Sequence, residues 1–226
     1  RDLAIQKREN DLVVATFGRG FYVLDDYSPL RKLNQKNSNE HLLFDVKEAL
    51  QYNPIRPGTS SQGSSYFQSK NPPYGAVFTY NLPKSYKSLK SLRSQEEKEL
   101  DKLNKDVPFP GWENLDKEIN EIKSKIILEV RDEKGDLVDR INGSTKKGIN
   151  RISWNLTKPL PITMNSNSRG SRLTLSVKPG KYSVHLLELV NGGVNELTES
   201  KTFDIKRIRK NVLENPLTSK IDEYIR

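Results

Sequence analysis

Between residues 126 and 189, hydrophobic and polar positions alternate with a period of two, the pattern of strands that bury one face. In IILEVRDEKGDLVDRI, Ile126, Leu128 and Val130 share a face, a Glu-Lys-Gly-Asp segment reverses the chain, and residues 137–141 return as the second arm of a hairpin. INRISWNL places Ile152, Trp154 and Leu156 on one side and Arg151, Ser153 and Asn155 on the other. In VKPGKYSVHLLEL, a Pro179-Gly180 turn leads into Tyr182, Val184 and Leu186, again on a common face. The stretch predicts the core of a small β-sandwich.

The same reading extends to both sides. Residues 3–8, 11–16 and 21–26 are three short β-patterns separated by Glu9-Asn10 and Gly18-Arg19-Gly20, which predicts a meander. Its middle segment, LVVAT, is nearly all apolar and calls for burial on both faces, which a lone three-stranded sheet cannot supply. Residues 34–69 turn rich in Asn, Ser, Gly and Gln, with apolar islands at 42–44 and 49–52, and read as a linker that lends an edge strand. Residues 76–82 form a further strand pattern. From there to Ile126 the period changes: Leu89, Leu92, Leu100 and Leu103, then Leu115, Ile119 and Ile122, recur at helical spacing. Pro108 and Pro110 separate the two helices, and Gly111 or Asn114 is placed to cap the second. Phe109 and Trp112 are expected to pin this helical pair onto the sandwich. Residues 195–205 read as an edge-type strand with Phe203 and Ile205 inward, and residues 217–225 as the start of a helix.

Composition narrows the function classes. No apolar run reaches the length of a membrane span, and the absence of cysteine removes disulfides, thiolate metal sites and a cysteine nucleophile. The chain starts without Met and enters a strand pattern at once, so it is read as a fragment without a signal peptide. The 38 basic against 29 acidic residues give +9, but the charge is spread out, with only Lys206, Arg207, Arg209 and Lys210 in a tight run. Without interleaved aromatics or a recognisable module, nucleic acid is not an expected partner.

Candidate chemistry is sparse. His41 and His185 are too few for a histidine-rich metal site, and His185 falls opposite Tyr182, Val184 and Leu186, a surface position. A general base there would need a cleft and a partner. Asp25 and Asp26 are adjacent on a strand, so they point to opposite faces and cannot flank one glycosidic bond; strand termination before Ser28-Pro29 is the expected role. Asp132, Glu133 and Asp136 around Gly135 lack the alternation of a calcium loop and predict a hairpin turn. Gly18-Arg19-Gly20 is too short for a phosphate loop, and no G-x-S-x-G or H-E-x-x-H string occurs. Asn142-Gly-Ser and Asn155-Leu-Thr are glycosylation strings, the second on a strand. No catalytic residue, cofactor or metal site is expected.

The segment NDLVVATFGRGFYVLDDYSPLR resembles the closing segment of bacterial BNR-repeat, sortilin-type β-propellers with glycosyl-hydrolase-like names. The family form is DLVVATHGRGFWVLDD followed by Pro and an apolar residue; this chain has Phe17 for the His and Tyr22 for the Trp. The likeness continues through HLLFDVKEALQY, NPPYGAVFTYNL, KKGINRISWNL and PGKYSVHLLEL. From Ile126 on, the chain is also similar to the Ig-like domain of flagellar hook-capping proteins. The usual Asp-Pro-Arg that follows the last strand is replaced by IKRIRKN, and no Asp-box repeat is present.

The resemblance implies a mainly β protein in which residues 1–30 are the last-blade remnant of a propeller and 31–75 a linker with an edge strand. Residues 76–210 are then an Ig-like or fibronectin-like sandwich with a helical insertion at about 86–124, and 211–226 a tail. It implies an extracytoplasmic, non-catalytic accessory role beside an upstream β-propeller, contacted through Arg19, Phe21 and Asp25. Two alternatives are carried: a carbohydrate-binding module contacting polysaccharide through Trp112, Phe109 and Tyr74, with Tyr66 nearby, or part of a glycosidase whose active site lies in the propeller. An uncovered blade also carries the hazard of dimerisation through its strand edges.

Overall fold

The computed structural model describes residues 2–18, 20–34, 37–53, 71–160 and 174–208. The protein is mainly β, with several sheets, one of them curled into a half-barrel. The first three strands, β1 (Asp2–Gln6), β2 (Asp11–Ala15) and β3 (Phe21–Leu24), form the expected antiparallel meander. Its register sets the two faces. Leu3 pairs with Val14 and Ile5 with Leu12, while Leu12 and Val14 pair with Leu24 and Tyr22. One face is therefore wholly apolar; the other carries Ala4, Val13, Ala15, Phe21 and Val23 beside Asp2, Gln6 and Asp11. Every residue of β1 and β3 is exposed and β2 only half-buried, so the burial that LVVAT calls for is not met within the described residues.

After helix α1 (Ser28–Lys32) come β4 (Leu42–Leu43), β5 (Ala49–Gln51) and β6 (Ala76–Leu82). Helices α2 (Leu89–Lys102) and α3 (Trp112–Ile119) follow, then β7 (Lys125–Asp132), β8 (Leu137–Gly143), β9 (Gly148–Trp154), β10 (Thr157–Pro159), β11 (Thr174–Ser176), β12 (Gly180–Val190), β13 (Gly193–Glu196) and β14 (Lys201–Arg207). One sheet runs β5-β14-β12-β7-β8 with β13 also on β12; a second runs β4-β6-β9; β10 and β11 pair with each other.

The alternation read from the sequence decides which faces meet. Ile126, Leu128 and Val130 of β7, Val184 and Leu186 of β12, and Phe78, Tyr80 and Leu82 of β6 are wholly buried in one cluster. Aromatic contacts join the sheets: Phe78 meets Phe203 at 5.5 Å between ring centroids, and Trp154 meets Tyr182 at 6.0 Å. The Trp154 indole N–H donates to Asp139 Oδ2 at 3.1 Å and to the Thr157 carbonyl at 3.0 Å, so its polar edge is satisfied while its rings are buried. Just beyond, Leu156 is fully buried at a φ of 58°, a left-handed conformation costly for a branched side chain and here held by that burial.

Two expectations are corrected. Residues 195–205 are not one edge strand: the chain leaves β13 at Glu196, and β14 lies inside its sheet, antiparallel to β12 and parallel to β5, with Phe203 and Ile205 inward as expected. The edge beside β14 is β5, drawn from the apolar island at 49–52. Phe109 and Trp112 do not pin the helices, because they stand 62% and 75% exposed with their rings edge-to-face at 5.2 Å. Neither helix contributes a buried residue. They are joined instead by polar contacts: Arg93 Nε and Nη2 donate to the Glu118 carboxylate at 2.6 and 3.0 Å, and Glu121 Oε2 accepts the Leu89 N–H at 2.9 Å.

The meander is tied to the larger body through its last turn. Arg151 of β9 donates Nη1 to the Asp25 carbonyl at 2.6 Å and Nη2 to the Asp26 carbonyl at 2.8 Å. Asp26, at a φ of 45°, accepts the Ser28 N–H and hydroxyl on Oδ1, which ends β3 and starts α1.

Trp154→Ala should cost about 3–5 kcal/mol, the range for emptying a large aromatic site in a core; urea unfolding measures it. Gly75→Ala should also destabilise, because a Cβ there would lie 1.9 Å from the Trp154 carbonyl oxygen at a φ of 99°.

Candidate functional site

The alternation that buries Tyr182, Val184 and Leu186 turns Ser183 and His185 of β12 together onto the outer face of the larger sheet. The β12–β13 hairpin turns at Asn191 and Gly192, both in the left-handed region, and sets Glu196 opposite Leu187 on that face. His185 Nδ1 lies 2.8 Å from Glu196 Oε1, and His185 Nε2 lies 3.4 Å from Ser183 Oγ. A shallow depression of about 550 Å³ opens alongside, lined by His185, Glu196, Leu197, Thr198, Glu199 and Ser200. The Thr198 hydroxyl oxygen is buried there without a hydrogen-bond partner.

On the adjacent strand β7, Glu129 stands opposite His185 and Arg131 opposite Ser183. Glu129 is only 3% exposed although it is outside the core. Arg131 Nε and Arg140 Nε each donate to its carboxylate at 2.8 Å, covering it with their side chains. Burial alone would raise this carboxyl; the Arg140 and Arg131 guanidiniums outweigh it and hold Glu129 below the usual carboxylate range. Arg131 Nη1 also reaches the Gly135 carbonyl at 3.0 Å.

A second polar cluster lies at one end of the two-sheet stack. Buried Asn81 of β6 donates to the carbonyls of Ser38 and Glu40 at 3.0 and 2.9 Å, which fixes the chain just before β4 and places His41. His41 Nε2 lies 3.1 Å from the Tyr86 hydroxyl, which donates to Glu188 Oε2 at 2.7 Å. Burial lowers the His41 imidazole, with Glu188 opposing and Lys84 assisting. The Tyr86 hydrogen bond holds the Glu188 carboxyl below its ordinary range, and burial together with that carboxylate raises the Tyr86 phenol. Tyr80 nearby donates to the Ser144 carbonyl at 2.9 Å, and burial pushes its phenol up to about 12.

The residues singled out from the sequence lie apart. Phe109 and Trp112 stand together at the junction between α2 and α3, shaped by Gly111 at a φ of 87° and by Asn114, which donates to the Pro110 carbonyl. Tyr74 packs against the core and meets Tyr52 edge-to-face at 5.2 Å. Phe21 is exposed on β3, and Asp25 offers its carbonyl to Arg151. Arg19, Tyr66, Arg209, Lys210 and residues 217–225 fall outside the described residues. Lys206 pairs with Glu48, and Arg207 Nε donates to Gln51 Oε1, so this half of the basic run fastens β14 to the β5 segment. The Asp132 carboxylate accepts the N–H groups of Lys134 and Asp136, which makes the hairpin turn expected there.

Sequence reasoning missed the Ser183, His185 and Glu196 grouping. Two of its members were legible, since residues two apart on a strand share a face. Glu196 was not, because its place depends on the β12–β13 register.

Tyr80 gives a pH prediction. The fold favours its neutral phenol, whereas an unfolded tyrosine ionises near ~10. Its contribution is complete below about pH 10 and is lost as pH rises through about 12. Urea unfolding from pH 8 to 12 should show an alkaline loss that is smaller in Tyr80→Phe, a variant less stable at neutral pH by about 1 kcal/mol. Among the described residues no helix is long and apolar enough to cross a membrane. No family model, curated protein or solved structure matches this chain.

Proposed function

We propose that this chain is a structural accessory domain of an exported BNR-repeat, glycosyl-hydrolase-like propeller protein. In this reading residues 76–210 are an Ig-like or fibronectin-like sandwich with α2 and α3 as an inserted helical hairpin, residues 31–75 are the linker that lends β5, and residues 1–30 belong to the final blade of an upstream propeller. The observation that carries it is the meander: apolar on one whole face and largely so on the other, uncovered on both among the described residues, yet tied to the two packed sheets by Arg151 through two backbone carbonyls. A propeller blade is a thin sheet packed between neighbours, which requires apolar side chains on both faces. Arg151 then sets the angle between blade and sandwich. The setting is extracytoplasmic, by family likeness.

The exposed Phe109 and Trp112 favour a second reading, a carbohydrate-binding module. Their edge-to-face arrangement, with 67° between ring planes, is unlike the flat platform on which sugar rings stack.

Hydrogen exchange separates the accessory reading from its rivals. Amides of β1 and β3 should exchange readily in this chain alone and become protected when it is joined to its propeller; equal protection in both would remove the blade assignment. Trp112 and Trp154 are the two tryptophans, so fluorescence titration with neutral and anionic polysaccharides tests the module. The expected response is flat. A saturable shift lost in Trp112→Ala and kept in Trp154→Phe would make this a glycan-binding domain.

A further inference from the structure

We propose that Ser183, His185 and Glu196 form an acyl-transfer site on the outer face of the larger sheet, with short-chain acyl esters as its substrate class. The site lies on the face of β12 opposite the core. A general base at His185 needs a partner, which Glu196 supplies at 2.8 Å from Nδ1, and a shallow open depression lies on the Glu196 side of the ring. The two ring nitrogens have different neighbours, and this fixes their roles. A carboxylate at Nδ1 holds the proton there, which leaves Nε2 as the acceptor facing the Ser183 hydroxyl at 3.4 Å. That separation is typical of a nucleophile and base before substrate draws them together.

The surroundings of Ser183 suit a developing negative charge. Arg131 on β7 and Thr202 on β14 are its direct cross-strand partners, so both share its face. Such neighbours have Cβ atoms roughly 4.5–5.5 Å apart, within reach of an oxyanion on a carbon bonded to Oγ. Arg131 directs Nε and Nη2 to Glu129 and Nη1 to the Gly135 carbonyl. A guanidinium has five N–H donors, so it keeps donors for a further acceptor. Leu197 gives the depression an apolar wall, and its shallowness suits a short acyl chain.

The reaction is a two-step acyl transfer. The Ser183 oxygen attacks the ester carbonyl carbon, its proton passes to His185 Nε2, and the carbonyl electron pair moves onto oxygen beside Arg131 and Thr202. Collapse breaks the carbon–alkoxide bond, and the leaving alkoxide takes the proton from Nε2 and departs as an alcohol. Water, deprotonated by His185, then attacks acyl-Ser183 and releases the carboxylic acid and free serine. Glu196 is a positioning residue: it orients the imidazole and touches no reacting atom.

The test uses diisopropyl fluorophosphate, which bonds phosphorus to an activated serine oxygen with loss of fluoride, and p-nitrophenyl acetate as substrate. The expected result is a single adduct by intact mass, mapped to Ser183 by peptide sequencing, and slow release of nitrophenol. Ser183→Ala should lose both. His185→Gln should lower kcat by roughly 100-fold or more, the usual worth of a positioned base. Glu196→Gln should lower kcat with KM unchanged, a split that a merely structural role would not produce. No adduct, or an adduct mapped to another residue, overturns the proposal; that mapping is made on the unaltered chain and decides the matter even if a variant fails to fold.

Discussion

The closure of the β4-β6-β9 sheet over the larger sheet governs the rest of the molecule. Neither sheet can shield its apolar face alone, so the contact of Phe78 with Phe203 and of Trp154 with Tyr182 is what makes either one stable. Because strand side chains alternate strictly, burying Tyr182, Val184 and Leu186 leaves no choice for Ser183 and His185: they lie outside and side by side. The same rule expels Glu129 and Arg131 from the core side of β7. A slip of one residue between β7 and β12 would bury these charges and expose Val130 and Leu128, so the core fixes the polar face as firmly as it fixes itself.

What the sequence made legible follows from this local rule. The meander, the β7–β8 hairpin, β9 and the inward set of β12 all come from period-two patterns and turn residues, and they appear where those patterns place them. The helices come from a change of period. What was not legible is non-local. The parallel pairing of β5 with β14 joins segments about 155 residues apart and has no counterpart in either pattern. The same holds for Glu196, which reaches His185 only through the hairpin register, and for Glu129, whose 3% exposure depends on an arginine from its own strand and another from the neighbouring strand.

Phe109 and Trp112 show the limit of reading burial from hydrophobicity. Large aromatics are expected to be largely buried, and the expected burial for these two was against the packed sheets. The helices instead meet through Arg93 and Glu118, a charged contact that needs no dry surface, and the aromatics remain in solvent. The meander shows the same limit from the other direction. Its sequence calls for burial on both faces, and the described residues leave both open.

These two uncovered regions differ in kind. At the meander the apolar residues are spread over a three-stranded sheet whose edge strands pair with no other described strand, and among the described residues it is fastened to the larger body by Arg151 at the Asp25 and Asp26 carbonyls and by Lys47 at the Glu9 carbonyl and the Glu9 and Asp26 carboxylates. The Arg151 contact uses backbone carbonyls, whose positions depend on chain path and not on side-chain identity. A guanidinium gripping two successive carbonyls constrains direction as well as distance, since both N–H groups lie in one plane. The two packed sheets therefore hold the meander at a defined angle, and among the described residues neither of its faces is covered. The alternation along β9 makes this possible: Arg151 faces outward on a strand whose opposite face carries Ile152 and Trp154 into the core, so the same strand packs the two sheets and grips the meander.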